Sequence, residues 1–414
     1  MNYRELSKLY YQDETAYFSE YKSRFHSSDT VRMDFRIKKN QAFFVQNAEI
    51  ANIVYQILKI DKSISLLRNK LPDVAIDQFI KRCLIEEIVL TNKIEGVYST
   101  RREIASILSD LESQAKEKSA RKRFSGLAKQ YFRLKTNEYL PLKSCEDIRK
   151  LYDELVLAEV IEENPRNAPD GKIFRKNSAS VTTVADKEIH QGTYPESAIR
   201  KEMESALVFL YDDNIPFLYR IAIYHYLLEY IHPFYDGNGR LGRFIVSDLL
   251  SQELNPLLAF RISYTITENI NLYYNAFKVC NNPHNLGDVT PFLIMMLTMI
   301  KTSTLRLEEA LRNRHTRLIR YEKMIGTLPR GKKAKTPQVY HLLIQAGLFS
   351  ENGISTKELM GFLENSFTTV KKELDLIEGS HLLKKNRIGR ENYYMLDLEK
   401  LDTRVALESF YIAL

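Results

Sequence analysis

His232-Pro-Phe-Tyr-Asp-Gly-Asn-Gly-Arg-Leu-Gly-Arg243 sets a proton acceptor, a metal-binding carboxylate and a glycine-rich turn with two guanidinium groups into one short run. In-line attack on a phosphorus centre needs little covalent help. Positioning and charge neutralisation supply most of the catalysis, and these residue types can provide both. An imidazole suits the base because its ordinary pKa, about 6.5, leaves it largely neutral near pH 7. Asp236-Gly-Asn-Gly239 supplies backbone that turns sharply and aims successive N–H groups at one anion. A lone histidine at a helix end, or Gly-x-Gly by itself, would be ordinary; the combination is not. An EF-hand reading fails, because Arg240 falls on a ligand position and Leu241 where glycine is required.

Two helices must hold these groups. Ile221, Tyr224, His225, Leu228 and Ile231 recur at helical spacing, so an apolar helix runs into the motif. Pro233 disfavours the α region for the residue before it and places His232 at the helix end. Residues 240–250 read as a second helix, with Arg240 and Arg243 on one face of its first turn. A helix N-terminus is already partly positive, so each arginine there costs about 0.3–1 kcal/mol unless an anion neutralises it. With exposed N–H groups, such a helix start is suited to polyphosphate.

The run resembles the Fic family motif His-Pro-Phe-x-Asp/Glu-Gly-Asn-Gly-Arg-x-x-Arg at each fixed position. The resemblance implies a protein adenylyltransferase, an enzyme that transfers AMP from ATP to a hydroxyl side chain of a target protein. It implies His232 as general base and Asp236 as ligand of a Mg²⁺ ion bridging the α- and β-phosphates. Gly237, Asn238 and Gly239 resemble the anion hole, Arg240 and Arg243 the β- and γ-phosphate contacts, and Phe234 the buried anchor of the loop. Downstream, Tyr273-Tyr274 resembles a pair that lies near the adenine, although tyrosines at helical spacing also fit plain packing.

A second constellation lies upstream. Residues 74–95 read as a helix with Ile76, Ile80, Cys83, Leu84 and Ile88 along one side, stopped by Gly96. Thr91 and Glu95 share a face, and Glu95 sits at the negative end of the helix dipole, where a carboxylate is disfavoured. A helix that simply ends in Glu-Gly is common. Beside the downstream motif, however, Thr91-Asn-Lys-Ile-Glu95-Gly96 is similar to the Ser/Thr-x-x-x-Glu-Gly/Asn inhibitory motif of Fic proteins. That likeness implies a Glu95–Arg243 pair that restrains the enzyme in cis, and it leaves AMP removal by the same protein as a further expectation.

Residues 174–193 read as a short hairpin: Ser180-Val-Thr-Thr-Val184 and Glu188-Ile-His190 flank the turn Ala185-Asp186-Lys187. In the resemblance this is the flap that docks a target by strand addition; an ordinary surface hairpin fits the same pattern. Self-modification and a homo-oligomer are further expectations of the family.

At 414 residues the chain exceeds what one core usually supports. The expected fold is mainly α: an N-terminal helical region (1–115) carrying the inhibitory helix, a Fic-type helical core with its hairpin flap (116–325), and a winged helix-turn-helix domain (333–414). Within the core, residues 146–157 and 195–211 read as helices. The last domain is read from an apolar helix at 338–346, a helix capped by Ser355 through Leu363, a third at 366–377, and a hairpin around 386–391 after the basic linker 328–337. It raises an alternative, a DNA-binding regulator using the Fic segment as a nucleotide sensor. Charge argues against that, because acidic side chains slightly outnumber basic ones from 337 to 398, and a phosphate-tracking surface is clearly basic. Three cysteines without metal spacing, no signal-like start and no long apolar run lead us to expect a cytoplasmic protein without membrane association.

Overall fold

A computed structural model describes residues 3–112, 122–136, 138–139, 141–182, 188–328, 336–388 and 391–403. The chain is mainly helical and divides into two compact units. One comprises Met1–Lys62 with Glu86–Leu307, the other Ser63–Ile85 with Glu308–Leu414. These units are drawn differently from the expected 1–115, 116–325 and 333–414. Residues 63–85 cluster with the C-terminal helices because they meet them side chain to side chain: Lys81 pairs with Glu358 at 2.9 Å, Arg82 with Glu351 at 3.4 Å, and the rings of Phe79 and Phe349 meet edge to face.

The N-terminal region is also not wholly helical. Thr30–Ile37 and Asn40–Val45 form an antiparallel hairpin, with Thr30 opposite Val45 and Ile37 opposite Asn40. Its signal was present in Val31-Arg-Met-Asp-Phe-Arg-Ile37, where buried Met33, Phe35 and Ile37 alternate with exposed Arg32, Asp34 and Arg36. That period of two is a half-buried strand.

The first unit is centred on Phe217–Ile231, a helix buried on almost every side, as a helix apolar all round must be. It packs between Glu196–Leu210 and Asn238–Glu253, so the motif joins two core helices. Cys145–Tyr152 begins with a capping box, in which Ser144 accepts from the Asp147 N–H and Asp147 from the Ser144 N–H. It continues as a π turn, Asp153–Leu157, and then as Ala158–Glu163, against which the motif loop closes. Ser180–Thr182 pairs antiparallel with Glu188–Gln191, as expected of the flap, while the turn 185–187 lies outside the described residues.

In the second unit Thr336–Phe349, Thr356–Leu363 and Phe367–Gly379 are followed by the hairpin Leu383–Ile388 and Glu391–Leu396. Ile354–Ser355 adds a third strand beside Glu391–Leu396. Ser355 caps its helix in a second capping box, with Glu358. Among the described residues no helix is long and apolar enough to cross a membrane.

Candidate active site

His232 closes the central helix with φ +52° and ψ +63°, a left-handed conformation that non-glycine residues adopt rarely and mostly at functional sites. The sequence places it correctly at the helix end; its left-handed backbone is a tertiary fact. Three groups hold the loop that follows. Phe234 is fully buried, its ring stacked on Tyr152 with centroids 3.6 Å apart. The Tyr152 hydroxyl donates to the Asp236 carbonyl at 3.1 Å. Asn238 accepts from the Phe234 N–H at 3.0 Å and donates to the Phe234 carbonyl at 2.9 Å. The Asn238 side chain therefore staples the loop.

Gly237 has φ +81°, and an added Cβ would come within 3.0 Å of Val156. Helix Asn238–Glu253 starts one residue later, and by helix geometry its first N–H groups lack intrahelical acceptors. They form the positive end expected for phosphate.

The two arginines have different partners. Arg243, 1% exposed, is held wholly by the end of helix Asp73–Ile94. Its Nη1 pairs with Glu95 Oε1 at 2.9 Å, its Nε donates to the Thr91 hydroxyl at 2.9 Å, and its Nη2 donates to the Thr91 carbonyl at 3.0 Å. Burial works to lower the pKa of this guanidinium, but Glu95, Tyr273 and Glu229 outweigh it and raise it. Gly239 makes the pairing possible, since a Cβ there would overlap the Glu95 carboxylate. Gly96, at φ +74°, ends the helix as expected.

Arg240, equally buried, is anchored instead by Glu159 at 3.0 Å. Its buried Nε and Nη2 make no hydrogen bond, which leaves donors for an anion. Burial pushes the Glu159 carboxyl up to about 7 despite Arg240 and Arg123 beside it. Nothing in the local sequence marks Glu159, which meets Arg240 from 81 residues away along the chain.

A cavity of about 100 Å³ lies on the Arg243 side of the motif, lined among others by Glu95, Glu229, His232, Arg243, Tyr273 and Asn281. Tyr273 is buried, its hydroxyl 2.7 Å from His225 Nε2, and the Tyr274 hydroxyl donates to the Ile94 carbonyl at 3.3 Å. Glu229, unmarked by the sequence reading, also faces this cavity; burial and nearby Glu95 raise its pKa to about 8. Burial, then Arg175 and His190, hold His232 down at about 3. The surroundings thus hold the His232 imidazole neutral well below its ordinary range as well as at pH 7. Asp236 is half-buried beside Arg240, its Oδ1 4.0 Å from Nη2. Among the described residues no group of three His, Cys, Asp or Glu could hold a metal alone. A lone carboxylate does fit Mg²⁺, which favours one or two carboxylates together with substrate phosphates.

With this geometry in hand, residues 142–250 match the Fic/DOC family model. Protein adenylyltransferase fic-1 of Caenorhabditis elegans is 25% identical over 157 residues, covering 36% of this chain and 28% of that protein. Protein adenylyltransferase Fic of Drosophila yakuba is 36% identical over 72 residues, 17% of this chain and 13% of that protein. The chain thus spans less than a third of the length of either relative. A solved Fic family protein from Desulfovibrio desulfuricans G20 superposes with TM-score 0.50 at 20% identity, covering 85% of this chain and 97% of that one, which is a likeness of fold.

Proposed function

We propose that this chain, whose residues 142–250 match the Fic/DOC family model, is a Mg²⁺-dependent protein adenylyltransferase that moves AMP from ATP to a hydroxyl side chain of a target protein, with pyrophosphate as the leaving group. The observation that carries the reading is a half-buried, neutral His232 and the buried Arg243 lining one cavity, with buried Arg240 on the same uncapped helix N-terminus. His232 takes the hydroxyl proton. The helix N–H groups with Arg240 and Arg243 grip the phosphates, Asp236 holds the cation that offsets their charge, and Tyr273 and Tyr274 wall the base pocket. That relatives are named protein adenylyltransferases supports AMP as the transferred group.

Glu95 restrains the enzyme in cis by occupying the guanidinium that a γ-phosphate needs. The 174–193 flap receives the target strand. Target identity, AMP removal, self-modification, self-association and a cytoplasmic setting are parts of the same proposal. We read the C-terminal unit as a winged helix that recruits protein rather than DNA, since two of its hairpin cations are engaged: Lys384 pairs with Asp397 at 3.1 Å and Lys385 lies over the Tyr394 ring. Mass spectrometry of the Glu95→Gly protein incubated with each nucleoside triphosphate tests the reading. AMP added to a hydroxyl residue, on itself or a partner, is expected. No added group from any nucleotide refutes it.

A further inference from the structure

We infer that Arg175 is a positioning residue for His232, binding the stem of the flap to the end of the catalytic helix so that a target docked on the flap and the imidazole that deprotonates it are held by one side chain. The inference rests on the proposed transfer for what His232 does, and on geometry alone for what Arg175 does.

The last carbonyls of a helix have no partner within it and must find one elsewhere. At the end of Phe217–Ile231 the His232 N–H serves the Leu228 carbonyl, and the carbonyls from Tyr230 through Pro233 take donors from the 174–193 segment. His190 Nε2 lies 2.8 Å from the Tyr230 carbonyl, and the Thr193 N–H donates to Ile231 at 3.0 Å. Arg175 Nε donates to the His232 carbonyl at 2.8 Å, its Nη2 to Ile231 at 3.3 Å, and its own N–H to Pro233 at 3.3 Å. Its Nη1 donates to the Asn177 carbonyl, back in the flap stem. The Arg175 side chain is fully buried, and its hydrogen bonds go to main-chain oxygens rather than to a carboxylate.

That choice of partners has a reason. A carboxylate would neutralise the guanidinium without fixing the backbone, whereas a planar fork that spans successive carbonyls fixes their relative orientation. His232 needs such fixing because its left-handed backbone is unfavourable for a residue with a Cβ. Gly192 completes the arrangement. A Cβ there would meet Arg175 Nη2, and would lie 2.9 Å from His232 Cβ and 3.1 Å from the Ile231 carbonyl, so the returning flap strand lies directly against the base. Tyr235 adds a second tie, donating to Asp170 at 3.0 Å and accepting from the Asn177 N–H at 3.2 Å.

The test uses the full chain in the Glu95→Gly background and compares Arg175→Met, which keeps length but has no donor, with Arg175→Lys, which can serve one carbonyl. Displacing a base by about 1 Å costs on the order of 100-fold, so kcat is expected to fall by about that factor in Arg175→Met, with KM and Kd for nucleotide changed less than about twofold. Arg175→Lys should recover part of the loss, and Gly192→Ala should reproduce the kcat-selective defect. A general loss of fold would instead lower nucleotide affinity as well. The His232 imidazole resonance, followed by NMR, is expected to shift in Arg175→Met. Unchanged turnover together with an unchanged imidazole resonance in Arg175→Met overturns the inference. If the Glu95→Gly parent transfers nothing, the transfer reading fails and the resonance alone decides the role of Arg175. Should Arg175→Met fail to fold, Arg175→Lys carries both measurements.

Discussion

Removal of the Glu95 carboxylate should raise affinity for a nucleoside triphosphate selectively over the diphosphate. Arg243 is 1% exposed and makes its ion pair with Glu95 at 2.9 Å, so a third phosphate can use this guanidinium only after Glu95 leaves. The gross Coulomb attraction at this distance is about 6 kcal/mol for an effective dielectric near 20. Most of that is offset by the hydration Glu95 regains on release, its side chain being already 26% exposed. The net value of a hydrogen bond to a charged group is about 1.5–3 kcal/mol. At about 1.4 kcal/mol per factor of ten, ATP should bind Glu95→Gly about 10- to 150-fold more tightly than wild type. ADP lacks the group that competes with Glu95 and should gain less than about threefold, since its phosphates face Arg240 and the helix N-terminus. Glu95→Gln, which keeps the shape and loses the charge, should fall between. Calorimetry at millimolar Mg²⁺ reads all of these on purified protein. Equal gains for ATP and ADP, or none for either, would refute the reasoning, because then Glu95 does not stand in for the third phosphate.

Other outcomes follow from the same structure. His232→Ala should abolish transfer while leaving the affinity for ATP nearly intact, measured by labelling and calorimetry on one preparation; persistent labelling would remove His232 from the chemistry. Because the imidazole is held at about 3, its NMR titration should show a neutral ring down to about pH 4, with no acid limb from this group in the rate between pH 8 and 5. Glu229 carries the opposite sign. Its pKa is raised to about 8, so its contribution to stability is fully present below the unfolded value, about 4.5, and is lost as pH rises through 8. Between pH 6.5 and 8, Glu229→Gln should therefore reduce the downward slope of unfolding free energy by up to about 1.4 kcal/mol per pH unit, read by urea titration. A slope equal to wild type would mean that the carboxyl is already ionised in the folded protein. Gly242→Ala would set a Cβ against Glu229 and 3.0 Å from the His225 ring. His225 is fixed by Tyr273, so overpacking should cost about 1–3 kcal/mol, seen as a lower urea midpoint.

Much of the site was legible in the chain because its residues act through local backbone geometry. Pro233 ends a helix wherever it lies, Gly237 permits a turn that a side chain would resist, and Gly96 stops a helix regardless of what surrounds it. The pairing of Glu95 with Arg243 was implied by the likeness of 91–96 to the inhibitory motif. It is consistent with each being locally unfavourable at its own helix end, although the sequence could not supply its 2.9 Å distance. The helices of the C-terminal unit were readable from apolar period and caps, Ser355 with Glu358 above all.

What the sequence could not specify depends on groups far apart along the chain sharing one buried space. Arg240 finds Glu159, and His232 is kept neutral by burial beside Arg175 and His190. Residues 63–85 cluster with the chain from Glu308 onward rather than with their own neighbours in sequence. In each case desolvation sets the energy, and desolvation belongs to an assembled interior rather than to any stretch of residues. The chain thus fixed, by local stereochemistry, where its helices end and which side chains stand there; only tertiary packing decided which of those charges are paired, which are neutral, and which donors remain for a phosphate.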